Sequence, residues 1–170
     1  MIDFSSKTDK STVFSSVQDY IRSHKLSIQQ KDDKRPWGGF FVVDSSSLKP
    51  FIRHFFPGFN LSNNGQNQVL SPKVLLVQPE KRLSWQYHHR RSEVWKVVQG
   101  PVGIILSDDD NQTPVQSFDT GEVITIDQGQ RHRLVGLDNW AVIAEIWQHT
   151  DPKNPSNEDD IVRLDDDFGR

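Results

Sequence analysis

Two short stretches concentrate side chains that can hold a divalent cation. One runs Gln86-Tyr87-His88-His89-Arg90-Arg91-Ser92-Glu93 and is followed by Gly100. The other runs Gly121-Glu122-Val123-Ile124-Thr125-Ile126-Asp127-Gln128-Gly129-Gln130-Arg131-His132. In an extended strand, residues two apart face the same side, so Gln86 and His88 project together with Ser84 behind them. Glu93 opens the next strand in phase with Trp95 and Val97, and His132 follows a turn that begins at Gly129. Two imidazoles, one carboxylate and one amide oxygen make a four-ligand set for a divalent metal. Protein ligands that leave positions open describe a catalytic rather than a closed structural site. The competing reading is an ordinary strand surface, the usual place of a single histidine. His89, out of phase with Gln86 and His88, takes that reading.

The surrounding pattern says what must position these groups. Residues 1–34 are polar, with one amphipathic stretch from Ser11 to Ser23 carrying Val13, Phe14, Val17, Tyr20 and Ile21. This predicts an N-terminal helical extension with Ser11 or Thr12 as N-cap. RPWGGFFVV at 35–43 reads as a turn running into a strand. Residues 44–72, around SLKPFIRHFFPGF, read as a short helix within a long excursion. From 73 to 147, β-branched runs recur: KVLLV, RLSWQYH, EVWKVV, VGIIL, EVITI, HRLVGL and WAVIAEIW. Turn signals such as Gly100-Pro101, Asp119-Thr120-Gly121 and Gln128-Gly129 divide them. Short strands at this spacing predict an all-β antiparallel sandwich or barrel. The last twenty residues hold seven acids and three bases, yet Ile161, Val162, Leu164 and Phe168 give this acidic tail (151–170) something to bury.

Composition excludes several classes. The 170 residues contain no cysteine, which removes disulfides, thiolate metal sites and a thiol nucleophile. A net charge of −3 argues against a general nucleic-acid binder. The apolar runs are far too short to span a bilayer, and MIDFSSKTDK lacks a signal pattern. A soluble, cytoplasmic protein with no membrane or nucleic-acid partner is the expectation.

The ligand spacing resembles the two cupin motifs. In the first, Gln86, Tyr87, His88, four residues, Glu93, six residues and Gly100 follow the motif frame, with Gln86 in place of its first His and Glu80 in place of its leading Gly. In the second, Gly121, Gly129 and His132 keep their places, while Asp127 replaces a Pro and Gly136 an Asn. More of the chain resembles the cupin domain of type II mannose-6-phosphate isomerases, commonly the C-terminal half of mannose-1-phosphate guanylyltransferase/mannose-6-phosphate isomerases. RPWG at 35–38, KVLLVQP at 73–79, RLSWQYHHRRSEVW at 82–95, RHRL at 131–134 and EDDIVRLDDDFGR at 158–170 carry the likeness. Arg90 stands where that family has a third His, and Val94 where it has the His before Trp.

The resemblance implies a double-stranded β-helix, or jelly-roll barrel, over 35–170, with the tail folded back on it. It implies a stand-alone isomerase converting mannose 6-phosphate to fructose 6-phosphate through an enediol, which would feed nucleotide-sugar synthesis. It assigns Gln86, His88, Glu93 and His132 as ligands of one divalent metal, with zinc preferred and manganese, cobalt, nickel or iron tolerated. It points to Arg91 as a catalytic arginine, and to a homodimer through outer strands. Arg133 joins by resemblance as a substrate-binding residue, although strand phase aims it away from His132; Ser84 joins it behind Gln86. Phase also puts Lys73 and Glu145 on the cavity side, as candidates to shuttle the proton. The competing readings are a buried Lys73–Glu145 ion pair or exposure at a strand edge. Trp37, Trp95, Trp140 and Trp147 are expected in the core, and Trp85 outside the barrel or at a dimer contact. Two other functions fit a cupin: a non-haem iron dioxygenase, against which Gln86 counts, and a non-catalytic sugar-binding protein.

Overall fold

The computed structural model describes residues 4–59 and 70–169. The chain opens with helix α1 (Lys10–Ser23), whose cap is Asp9. The Asp9 carboxylate accepts from the Thr12 amide at 3.0 Å and from the Ser11 and Thr12 hydroxyls at 2.6 Å. The expected caps, Ser11 and Thr12, therefore lie inside the first turn and donate back to Asp9, two and three residues earlier. Its carboxyl is held far below the ordinary range by those bonds.

Strand β1 (Ile28–Asp32) follows, then β2 (Gly38–Val43) and helix α2 (Leu48–Phe55). Sequence alone did not foresee β1: IQQKD is polar, and its strand identity comes from antiparallel pairing with β2. The excursion ends earlier than expected, because β3 runs Leu70–Val77; residues 60–69 of that stretch lie outside the described residues. The remaining strands are β4 (Trp85–His88), β5 (Arg91–Gln99), β6 (Val102–Ser107), β7 (Gln116–Phe118), β8 (Val123–Ile126), β9 (Arg131–Val135), β10 (Ala141–His149) and β11 (Ile161–Asp165).

They form two antiparallel sheets, β1-β2-β3-β10-β5-β8 and β11-β4-β9-β6-β7. From β3 onward, strands successive in sequence cross between the sheets at every step but β6–β7, as the jelly-roll expectation requires. Between the sheets lies one core: Trp37, Phe40, Leu75, Val77, Trp95, Val97 and Ile143 meet Val102, Ile104 and Leu134. A second core covers the outer face of the six-stranded sheet, where Val13, Phe14, Val17 and Ile21 of α1 and Phe51 and Phe55 of α2 pack on Phe41, Val74, Leu76, Val142 and Ala144. With both faces covered, every residue of β10 is buried. No helix among the described residues is long and apolar enough to cross a membrane.

Candidate metal centre

Along β5 and β10 the inward-facing side chains change character. Val97 and Ile143 belong to the apolar core; Glu93, Arg91, Glu145 and Trp147, on the same faces, line a cavity between the sheets. Register sets the neighbours: Glu145 lies between Lys73 of β3 and Trp95 of β5, and Trp147 beside Glu93. In the opposite sheet Gln86 of β4 pairs with His132 of β9. The turn into β9 places Gly129 at φ 79°, a conformation glycine adopts without a Cβ penalty. Glu80, standing where the cupin motif has glycine, takes the same left-handed region at φ 59°.

These elements bring His88, Glu93 and His132 together, each almost fully buried. Nε2 of His88 is 3.2 Å from Nε2 of His132 and 3.2 Å from Oε1 of Glu93; His132 Nε2 is 3.6 Å from Oε2 of Glu93. The protons are placed by the partners. The Gln130 carbonyl can only accept, so Nδ1 of His132 carries the hydrogen and donates to it at 3.0 Å. Arginine has no acceptor, so Arg91 Nη2, 3.0 Å from His88 Nε2, makes that nitrogen the acceptor. Two imidazole lone pairs and a carboxylate thus face one point. Donors on a tetrahedral zinc stand about 3.4 Å apart, given Zn–N near 2.0–2.1 Å. The observed spacings match that size, so the residues fit a divalent ion. Gln86, the fourth ligand expected from sequence, lines the cavity, and its Oε1 accepts from Ser84 Oγ at 2.6 Å.

Electrostatics agree. Burial pushes the Glu93 carboxyl up, but the always-charged Arg91 guanidinium first, with His88 and His132 adding only where they are protonated, outweighs it and holds it well below the usual range. Burial pushes His132 down to about 4, against the pull of Glu93, so its imidazole is neutral and available as a ligand. Glu145 behaves oppositely. Burial, reinforced by the charge of Glu93, raises it to about 8 despite Lys73 and Arg91. Trp95 Nε1 bridges the two carboxyls, 3.1 Å from Glu93 Oε2 and 2.9 Å from Glu145 Oε1.

Arg91 also lines the cavity, but its guanidinium is engaged: Nε donates to Glu93 at 2.7 Å, Nη1 to Ser156 Oγ at 2.7 Å, and its face lies 3.6 Å from the Trp147 ring centre. Lys73 lines the cavity too, and its partner is Glu158 of the tail at 3.0 Å, not Glu145. Arg133 does not reach the cavity. As strand phase requires, it turns outward and donates to Leu83 O, Gln112 and both the side chain and backbone of Asp165, which corrects its expected substrate role. One tryptophan departs from expectation. Trp147 sits in the cavity wall between Lys73 and Arg91 rather than in either core cluster. Trp85 is covered by the chain's own loop, donating to Asp110 O at 2.9 Å. His89 is exposed, as its phase requires.

Arg35, Glu158 and Arg163 also line the cavity, none of them singled out from sequence, and with them Ile161, which was expected only to bury the tail. The available signal lay in the tail strand, where Ile161 and Arg163 are in phase and pair with His88 and Gln86.

A profile of the family described as mannose-6-phosphate isomerase C-terminal matches residues 58–166. No curated protein matches the chain. Among solved structures, KdgF from Halomonas sp. superposes with a TM-score of 0.51 at 13% identity, covering 77% of this chain and 92% of its own. An oxalate decarboxylase variant from Bacillus subtilis gives 0.55 at 12% identity, over 79% of this chain and 30% of its own. A vicilin from tomato, Solanum lycopersicum, gives 0.53 at 15%, over 78% and 35%. The fold is that of the cupins. Because it is shared by a decarboxylase and a vicilin, activity has to be argued from the site.

Proposed function

This chain belongs to the mannose-6-phosphate isomerase C-terminal family, and from that premise we propose that it is a metal-dependent aldose–ketose isomerase interconverting mannose 6-phosphate and fructose 6-phosphate. The observation that carries the reading is the convergence of the His88, His132 and Glu93 lone pairs beside a buried carboxyl, Glu145, raised to about 8. An ion held by those three residues and Gln86 would supply the electrophile that stabilises negative charge on the sugar's O1 and O2. Zinc suits the two imidazoles and the carboxylate; the neutral Gln86 oxygen keeps manganese, cobalt, nickel and iron within range.

The chain's own groups account for the rest. Glu145 takes the C2 proton and returns it at C1, while the hydroxyl proton passes from O2 to O1, so no redox partner is required. A group titrating near 8 can both accept and give a proton near neutrality. Trp95 ties Glu145 to Glu93, so the acid/base and the ligand set are positioned together. Trp37 and Trp147 line the cavity with buried indole nitrogens that have no hydrogen-bond partner among the described residues, donors suited to sugar hydroxyls. Such a product would feed mannose activation for nucleotide-sugar synthesis.

The test is a coupled isomerase assay on metal-stripped protein resupplied with single metals, comparing mannose 6-phosphate with other sugar phosphates. Turnover should return with the metal, and His132→Ala and Gln86→Ala should lose both metal retention and turnover. Failure of every metal to give turnover, or full activity in a folded His132→Ala variant, removes the proposed function.

A further inference from the structure

We propose that the corner of the cavity formed by Lys73 and Arg35 is the seat of the substrate's phosphate, and that the Glu158 carboxylate held there is an internal anion the substrate displaces. The identity of the phosphorylated ligand as a sugar rests on the isomerase reading; the anion seat does not.

Lys73 is a buried cation of the central sheet, while Glu158 reaches it from the tail with its side chain about half exposed, 52%. The two ends of this pair are unequal: one is fixed by β3, the other sits on a short turn at the solvent boundary. The lysine ammonium lies 3.4 Å from the Trp147 ring centre and 5.1 Å from that of Phe40, and the Arg35 guanidinium lies 5.5 Å from the same Phe40 ring. Two cations therefore share one aromatic wall. Arg35 engages Asp32 through Nε, at 2.8 Å. Arg163 faces the cavity from the other sheet, beside Gln86. Burial pushes Glu158 up, yet Lys73, Arg91 and Arg35 hold it below the usual range, so this corner already favours an anion. A phosphate offers three acceptor oxygens and up to two charges where the carboxylate gives Lys73 one oxygen.

Distance along the sheet fits the ligand. From Lys73 through Glu145 to Trp95 is two strand spacings, about 10 Å. Trp95 is not itself a ligand, but its Nε1 donates to Glu93 at 3.1 Å, so the span from Lys73 to this edge of the ligand set is comparable with the length of an open-chain hexose 6-phosphate. Size points the same way. The enclosed room is small, about 60 Å³, space for a few water molecules. Glu158 and its neighbours Ile161 and Arg163 line the same cavity, so releasing Glu158 both frees the cation and widens the site.

Inorganic phosphate, titrated calorimetrically into the full chain with and without added zinc, tests the seat independently of turnover. Phosphate should bind without zinc. Lys73→Met should weaken it by about tenfold to a hundredfold, the loss of one charge-assisted contact, with Lys73→Arg restoring most of it. Glu158→Gln should tighten binding by roughly two- to fivefold, since a partly exposed ion pair no longer competes. In kinetics, Lys73→Arg and Glu158→Gln should move KM for mannose 6-phosphate and leave that for unphosphorylated mannose. Circular dichroism confirms the fold of each variant. Undiminished phosphate binding in folded Lys73→Met, or weaker binding in Glu158→Gln, overturns the seat. An inactive protein whose phosphate affinity still follows Lys73 overturns the isomerase reading alone.

Discussion

Glu145 illustrates how a single side chain acquires a role from its surroundings. A carboxyl on a central strand, with no cation in direct contact, is pushed towards neutrality by burial and by Glu93, reaching about 8. Glu145→Gln preserves size and an oxygen for Trp95 Nε1 but cannot titrate. On the proposed reaction kcat should fall about a hundredfold to ten-thousandfold, the usual scale for a lost acid/base group. The same substitution has a signature in stability. An ordinary value of 4.5 in the unfolded chain against about 8 in the fold means that the folded state binds the extra proton between those limits, so stability falls as pH rises towards 8. His54, His132 and His149 are lowered from 6.5 and give the opposite slope below that pH, and the depressed Glu93 and Asp160 do so lower still. The unfolded-state histidines are still half protonated at 6.5 and fade about one pH unit above it, so the window from about 7.5 to 8 belongs to Glu145. Urea unfolding of the metal-stripped chain should lose stability across this window, and Glu145→Gln should flatten the loss. An unchanged slope would place the proton elsewhere.

Elements were legible in proportion to how far local pattern fixes them. Alternation on β5 and β10 separated an outer row that includes Val94, Val142, Ala144 and Ile146 from an inner row containing Glu93, Trp95, Glu145 and Trp147, and from that phase followed the joint location of Glu93, Lys73 and Glu145 in one cavity. Edge strand β1 carries no alternation because little of it is buried. The stripe on α1 announces a buried face without saying which surface buries it. Arg35, Glu158 and Arg163 enter the site from a turn and a tail whose register with the barrel no local rule supplies. The docking of α1 is nonetheless energetically strong. Phe14, nearly fully buried, lies 5.5 Å ring to ring from Phe41 of β2. Phe14→Ala should cost about 3–5 kcal/mol in urea unfolding. Because this contact is on the sheet's outer face, zinc affinity of the folded variant should stay with the parent's. A variant that loses zinc without losing stability would mean that α1 positions the centre rather than the sheet.

At the scale of the whole molecule, the acidic tail is held by charge more than by its apolar residues, since Leu164 is exposed and Ile161 and Val162 are only half-buried. Asp160 accepts from the backbone amides of His89 and Arg90 and from Ser156, which in turn receives Arg91. At the far end of β11, Arg133 fans out to Leu83, Gln112 and Asp165, and Arg82 makes two bonds to Asp167. The fully buried Arg133 is thus a clamp joining β9, the segment before β4, the loop after β6 and the tail, and a lysine cannot reproduce its planar fan. Arg133→Lys should destabilise the chain by roughly 1–3 kcal/mol, the scale for buried hydrogen-bond partners left unmade. Hydrogen exchange should localise the effect: amides of β11 and of its partner β4 should exchange faster together, while those of β3 and β10, held on both sides by other strands, stay protected. A variant with parental protection in β11 but a raised KM would instead return Arg133 to the substrate, against its outward orientation.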